Sequence, residues 1–123
     1  MNKIYLALVS LVCILALDAM YIMFVSKNMF NTMMRAIQGT AIQPKYLAIA
    51  VTYLFIFLSY FYFIILKHGS IQDAFVLGVT TYAIYELTNY SLITKWSPQV
   101  VLIDTLWGGI LFALTRWLTD RYY

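Results

Sequence analysis

Three carboxylic acids, Asp18, Glu86 and Asp104, lie inside otherwise apolar stretches of the chain. Carboxyl groups take up and release protons, hold small cations, or work in pairs as general acid and base. In hydrocarbon an ionised carboxylate costs a few kcal/mol on insertion scales, so such residues are functional candidates by default. Residues three and four apart share a helix face. Tyr82, Asn89 and Tyr90 therefore share a face with Glu86, and Thr88 and Tyr85 flank it. Asp18 is matched in the same way with Tyr21 and Ile22, and Asp104 with Trp107 and Gly108. No Lys or Arg falls at the same depth. The nearest cations are Lys27, Arg35, Lys45 and Lys95, and Arg35 is the one expected to fold inward as a charge partner. Without such a partner, a proton shared among the acids is the simplest neutraliser.

The elements that must position these acids are helices of membrane length. Of the 123 residues, 63% are hydrophobic and 11% charged, against about 25% charged in a soluble domain. Apolar runs cover Ile4 to Ser26, Tyr46 to Leu66, Ile71 to Ile93 and Pro98 to Trp117. Each is about 20 residues, enough for a helix to cross roughly 30 Å of hydrocarbon. A lone strand there would leave its backbone groups unpaired. The expected fold is all-α, a four-helix transmembrane bundle forming a single integral membrane domain over residues 1–123. Lys67 to Ser70 and Thr94 to Ser97 read as short turns, with Pro98 suited to a first helical turn. The longer connection, Lys27 to Lys45, carries Met29, Phe30, Met33, Met34 and Ile37 at amphipathic spacing. A short interfacial loop helix is expected there, ended by Gly39 and Pro44. The first run reads as a span and not a cleaved leader. Val12 stands where a lipoprotein cleavage site before Cys13 needs a small residue.

Threading these helices back and forth puts the acids in one layer. At 1.5 Å per residue, Asp18 lies roughly 21 Å along the first helix and Glu86 roughly 22 Å along the third. Asp104 lies about 9 Å into the returning fourth helix, near the same level. Thr52 and Tyr53 of the second helix fall near it. Four spans place both termini on one side, with Lys3, Lys67, Arg116 and Arg121 there and Lys27, Arg35, Lys45 and Lys95 opposite. This balance leaves the orientation open. Trp96 and Trp117 read as interface anchors.

The segments Leu17-Asp18-Ala19, Tyr85-Glu86-Leu87-Thr88-Asn89 with Trp96 seven residues on, and Asp104-Thr105-Leu106-Trp107-Gly108 carry a resemblance. In order and spacing they are similar to the successive motifs of domain-of-unknown-function family 2177, small four-helix membrane proteins mostly of bacteria. The resemblance covers nearly the whole chain. Family members usually have Trp where Tyr21 stands and Asp where Glu86 stands. The resemblance implies the fold and marks the same polar residues; it implies no activity or substrate.

The residues argue against several chemistries. There is no His cluster, Ser-His pairing, Gly-rich phosphate loop or metal-spaced Cys, and the scattered cations form no nucleic-acid patch. No cofactor or metal is expected. The leading expectation is a transport or channel protein, linked to a proton or small cation. Asp18, Glu86 and Asp104 would carry the charge, and Asn89, Tyr82, Thr88 and Trp107 would surround them. Two alternatives stand beside it: a structural or assembly subunit of a membrane complex or enveloped particle, and a lipid-modifying enzyme using paired carboxyls. The expected partners are the lipid bilayer and either further copies of the chain or a larger complex.

Overall fold

The computed structural model describes residues 2–123, and every regular element among them is helical. Helix α1 (Lys3–Tyr21) passes through a π-helical stretch, Ile22–Ser26, into α2 (Lys27–Gln38), an unbroken run of 36 residues. Helix α3 (Tyr46–Tyr60) ends in a second π-helical stretch, Phe61–Leu66. Helices α4 (Ile71–Leu92) and α5 (Pro98–Leu118) form a tight hairpin, and a 3-10 turn, Asp120–Tyr122, follows.

The boundaries have local causes. The Asn2 side chain accepts the Ile4 N–H at 2.8 Å and starts α1. Ser70 and Asp73 form a capping box for α4, each side chain accepting the other's backbone N–H at 3.0 and 2.8 Å. Ser97 and Pro98 open α5. Gly39, at a φ of 77°, closes α2 in the left-handed conformation that glycine adopts without strain.

Residues 27–38 depart from the separate loop helix expected of them. They are helical but extend the first helix without interruption. The first glycine of the chain is Gly39 and no proline precedes it, so nothing ends the helix sooner. Nor does the apolar stripe of α2 lie free at an interface. Met33 is buried with Trp96 and Val100, and Met29, Phe30, Met34 and Ile37 pack around them.

Three stretches, Lys3–Gln38, Tyr46–Leu66 and Pro98–Leu118, are long and apolar enough to cross a membrane. Helix α4 has the length, 22 residues, but Gln72, Asp73, Glu86 and Asn89 make it less apolar. Its threonine and serine hydroxyls are satisfied internally: Thr80, Thr81, Thr88 and Ser91 each donate to a carbonyl one turn back, at 2.6 to 2.8 Å.

Glycines set the α4–α5 distance. A Cβ on Gly78 would collide with the Gly108 carbonyl and lie 3.0 Å from Gly109 Cα. On Gly108 it would strike the Tyr82 ring, and on Gly109 the Val79 side chain. Small residues here let the two backbones touch. At one end of the bundle, end A, Arg116 Nε donates to the Gly69 carbonyl at 2.7 Å and its guanidinium lies 3.6 Å from the Tyr123 ring centre. Tyr5 meets Tyr122 edge-on at 5.6 Å, so the first and last described segments share that end. The opposite end, end B, holds α2, Lys45 and the turn before α5.

Gly78→Val forces α4 and α5 apart, and overpacking of this kind costs about 1–3 kcal/mol or more. Thermal unfolding in detergent micelles is expected to show that loss, whereas Gly69→Ala at the hairpin turn is expected to show less.

Candidate functional site

Helices α1, α3, α4 and α5 bring Asp18, Asp104 and Glu86 to one level in the half of the bundle nearer end B. Asp18 is 6% exposed. It accepts the Tyr53 hydroxyl from α3 on one oxygen and the Trp107 indole N–H from α5 on the other, the latter at 2.9 Å. Asp104 of α5, half-buried, accepts the Tyr21 hydroxyl from α1. Helices α1 and α5 thus clasp each other reciprocally. Each carries an aspartate and, three residues on, an aromatic donor, and each donor serves the acid of the other helix. Tyr21 and Trp107 stack at 4.7 Å with planes 5° apart, which fixes both donors at once.

Glu86 of α4 is wholly buried, 0% exposed. The Trp96 indole N–H donates to its Oε1 at 2.9 Å. Its Oε2 is buried without a hydrogen-bond partner. The neighbouring group is the Asp104 carboxyl, and Tyr21 lies within electrostatic reach of all three acids. Two carboxylates can only accept hydrogen bonds from each other's surroundings. Four N–H and O–H donors therefore serve the three acids, and one buried oxygen is left over.

No cation completes the site. Among the described residues the one ion pair is Arg116–Asp120, at 2.7 Å, at end A. Arg35, the expected partner, is exposed. It lies off the stripe of Met29, Phe30, Met33, Met34 and Ile37, and that stripe is the face that packs inward. Thr88 is exposed too, and its hydroxyl is spent on the Ile84 carbonyl at 2.6 Å. Tyr82 packs its ring on Gly108, with Asp18, Tyr53 and Asp104 near its hydroxyl. Asn89 is half-buried beside Tyr85 and reaches none of the acids with a hydrogen bond. No three carboxyl, His or Cys groups among the described residues gather as ligands of one metal ion would.

Trp96 departs most from its sequence reading. It is 5% exposed and no interface anchor. The turn before α5 folds it inward between Phe30, at 5.6 Å, and Tyr85, at 6.3 Å, both edge-on. A buried indole N–H requires an acceptor, and Glu86 supplies it. Tyr21 and Tyr53 had signals in the sequence: Tyr21 follows Asp18 by three residues, and Tyr53 falls at the depth of the layer. Two grooves, of about 340 and 420 Å³, lie toward end A between α1 and α3 and between the end of α3 and α4; neither is lined by Asp18, Glu86 or Asp104.

A family model described as "Predicted membrane protein (DUF2177)" matches residues 2–120. The chain belongs to this family. The matched region of this DUF2177 protein contains helices α1 to α5 and every residue of the acid layer. No curated protein and no solved structure matches the chain.

Tyr21→Phe leaves the half-buried Asp104 without its donor, which costs about 1 kcal/mol. Tyr21→Trp restores a donor and the ring stack. Unfolding in micelles is expected to rank wild type and Tyr21→Trp above Tyr21→Phe, with Arg35→Ala within about 0.5 kcal/mol of wild type.

Proposed function

We propose that this integral membrane protein is of the transport class and that its acid layer takes up and releases a proton. The observation that carries the reading is Glu86 Oε2, fully buried, without a partner, beside the Asp104 carboxyl. Three ionised acids with no cation in reach would incur several kcal/mol of desolvation each. A single proton between Glu86 and Asp104 removes one charge and gives the orphan oxygen a hydrogen bond. In this reading α4 crosses the membrane with the three more apolar stretches, both termini lie on one side, and Asp18 is held by Tyr53 and Trp107. A proton fits better than a metal cation, since the carboxyls do not converge on one point.

A second reading is structural. Asp18 draws donors from α3 and α5 together, and Asp104 draws one from α1, so the same layer ties helices to one another. Residues 46–52 of α3 are largely apolar and exposed along their whole length, a face that further copies or another membrane chain would cover.

Reconstituted liposomes separate the two. Glu86→Gln keeps the shape and the Trp96 hydrogen bond but cannot exchange a proton. Transport predicts that wild-type vesicles carry proton flux, that the variant loses at least tenfold of it, and that its oligomeric state is unchanged. Absence of flux in wild type, or equal flux in the variant, would sink the transport reading; altered assembly in the variant would favour the structural one.

A further inference from the structure

We propose that α2 is a lid over Glu86, hinged on the π-helical stretch Ile22–Ser26 and latched through Trp96. The inference rests on the reading of Glu86 as an exchange site and names its route of access, from end B. Four observations place the lid. First, the helix widens between the acid layer and α2, directly after Tyr21, the donor to Asp104. Inserted π-helical turns interrupt the regular ladder and recur at functional sites. Second, the far end of α2 is free to follow: Gly39 ends the helix and residues 39–45 are exposed and without regular structure.

Third, the inner stripe of α2 packs around Trp96 and Val100. Met33 is buried, and its sulfur accepts the Ser97 backbone N–H at 3.3 Å. Phe30 abuts Trp96 edge-on, and Lys95 Nζ donates to the Ala36 carbonyl at 3.0 Å. Fourth, what lies beneath that point is Trp96, whose indole N–H is the donor that Glu86 holds. Glu86, Trp96 and Met33 are therefore stacked in series between the acid layer and end B.

The series gives the lid its consequence. While α2 is down, Trp96 is pressed onto Glu86 and the carboxyl is out of water. Thioether and aromatic contacts are adaptable and individually weak, so the latch parts without breaking an ion pair. When α2 lifts, Trp96 loses its cover, and Glu86 loses either its donor or its seal. The polar residues Asn28, Thr32, Arg35 and Gln38 are already exposed, off the packed stripe. They stay solvated in both positions, so opening exposes only the stripe itself.

The test locks the lid and reads Glu86 directly. In a Cys13→Ala background, Met33→Cys with Ser97→Cys is oxidised, and the fraction carrying a disulfide across the contact is isolated and verified by mass spectrometry. The full protein in micelles is treated with a water-soluble carbodiimide and an amine, and modification of Glu86 is followed by peptide mass mapping. The expected result is at least tenfold slower modification in the oxidised than in the reduced state of the same protein. Met33→Ala and Lys95→Ala, which loosen the latch without cysteines, are expected to speed modification several-fold in the Cys13→Ala background. Equal rates oxidised and reduced, or no acceleration in either loosened variant, would overturn the lid. Glu86 chemistry is read without flux, so an inactive wild type in liposomes would refute transport and leave the lid result standing.

Discussion

A buried carboxylate in a membrane-length helix must be given hydrogen-bond donors from somewhere else, and that requirement organises this bundle. The donors here are phenols and indoles, not cations. Tyr53 and Trp107 serve Asp18, Tyr21 serves Asp104, and Trp96 serves Glu86. Each donor sits on a different segment from its acceptor, so each bond also ties two segments together. The stack of Tyr21 on Trp107 joins two of the bonds into one rigid unit. Helices α1 and α5 cannot slide past one another without unpairing two acids, and an unpaired buried acceptor costs more than the bond itself contributes.

The close approach of α4 and α5 serves the same layer. Gly78, Gly108 and Gly109 bring the two backbones together one to two turns below the acids, and Tyr82 fills the space over Gly108. That contact holds Glu86 and Asp104 side by side. Four donors for six carboxyl oxygens leave Asp104 Oδ2 and Glu86 Oε2 unserved, and of these the fully buried one is Glu86 Oε2. A buried carboxyl oxygen with no donor is where a mobile hydrogen has a place. At end A the arrangement differs: Arg116 is bonded to Gly69 and Asp120 and lies against Tyr123, a cation held by the fold's own loop and tail.

Much of this was legible in the amino-acid order. The all-helical bundle and the common level of Asp18, Glu86 and Asp104 followed from apolar run lengths and a constant rise per residue. The pairing of Asp18 with Tyr21 and of Asp104 with Trp107 followed from helical spacing, but spacing places them on one face and does not say that the donors cross over. The inward fold of Trp96 is not legible in the sequence, because a tryptophan beside a loop has the same composition signal whether it faces lipid headgroups or folds inward. Only the turn geometry decides. Arg35 stands outside the layer because nearness in sequence does not set direction: it lies off the inward stripe of Met29, Phe30, Met33, Met34 and Ile37. The continuity of α1 with α2 was open to reading from the absence of Gly and Pro before Gly39. The polar residues from Lys27 onward obscured it, since hydropathy ends where the helix does not.

The claim on which the rest turns is that a proton resides in this layer at Glu86. Infrared difference spectroscopy of the protein in bilayers reads it directly, because the C=O stretch of a protonated carboxylic acid stands apart from the carboxylate bands. The predicted result is a protonated-acid band in wild type that is lost in Glu86→Gln and retained in Asp73→Asn at the α4 cap. A wild-type spectrum with carboxylate bands alone, or a protonated-acid band that survives Glu86→Gln unchanged, would contradict it.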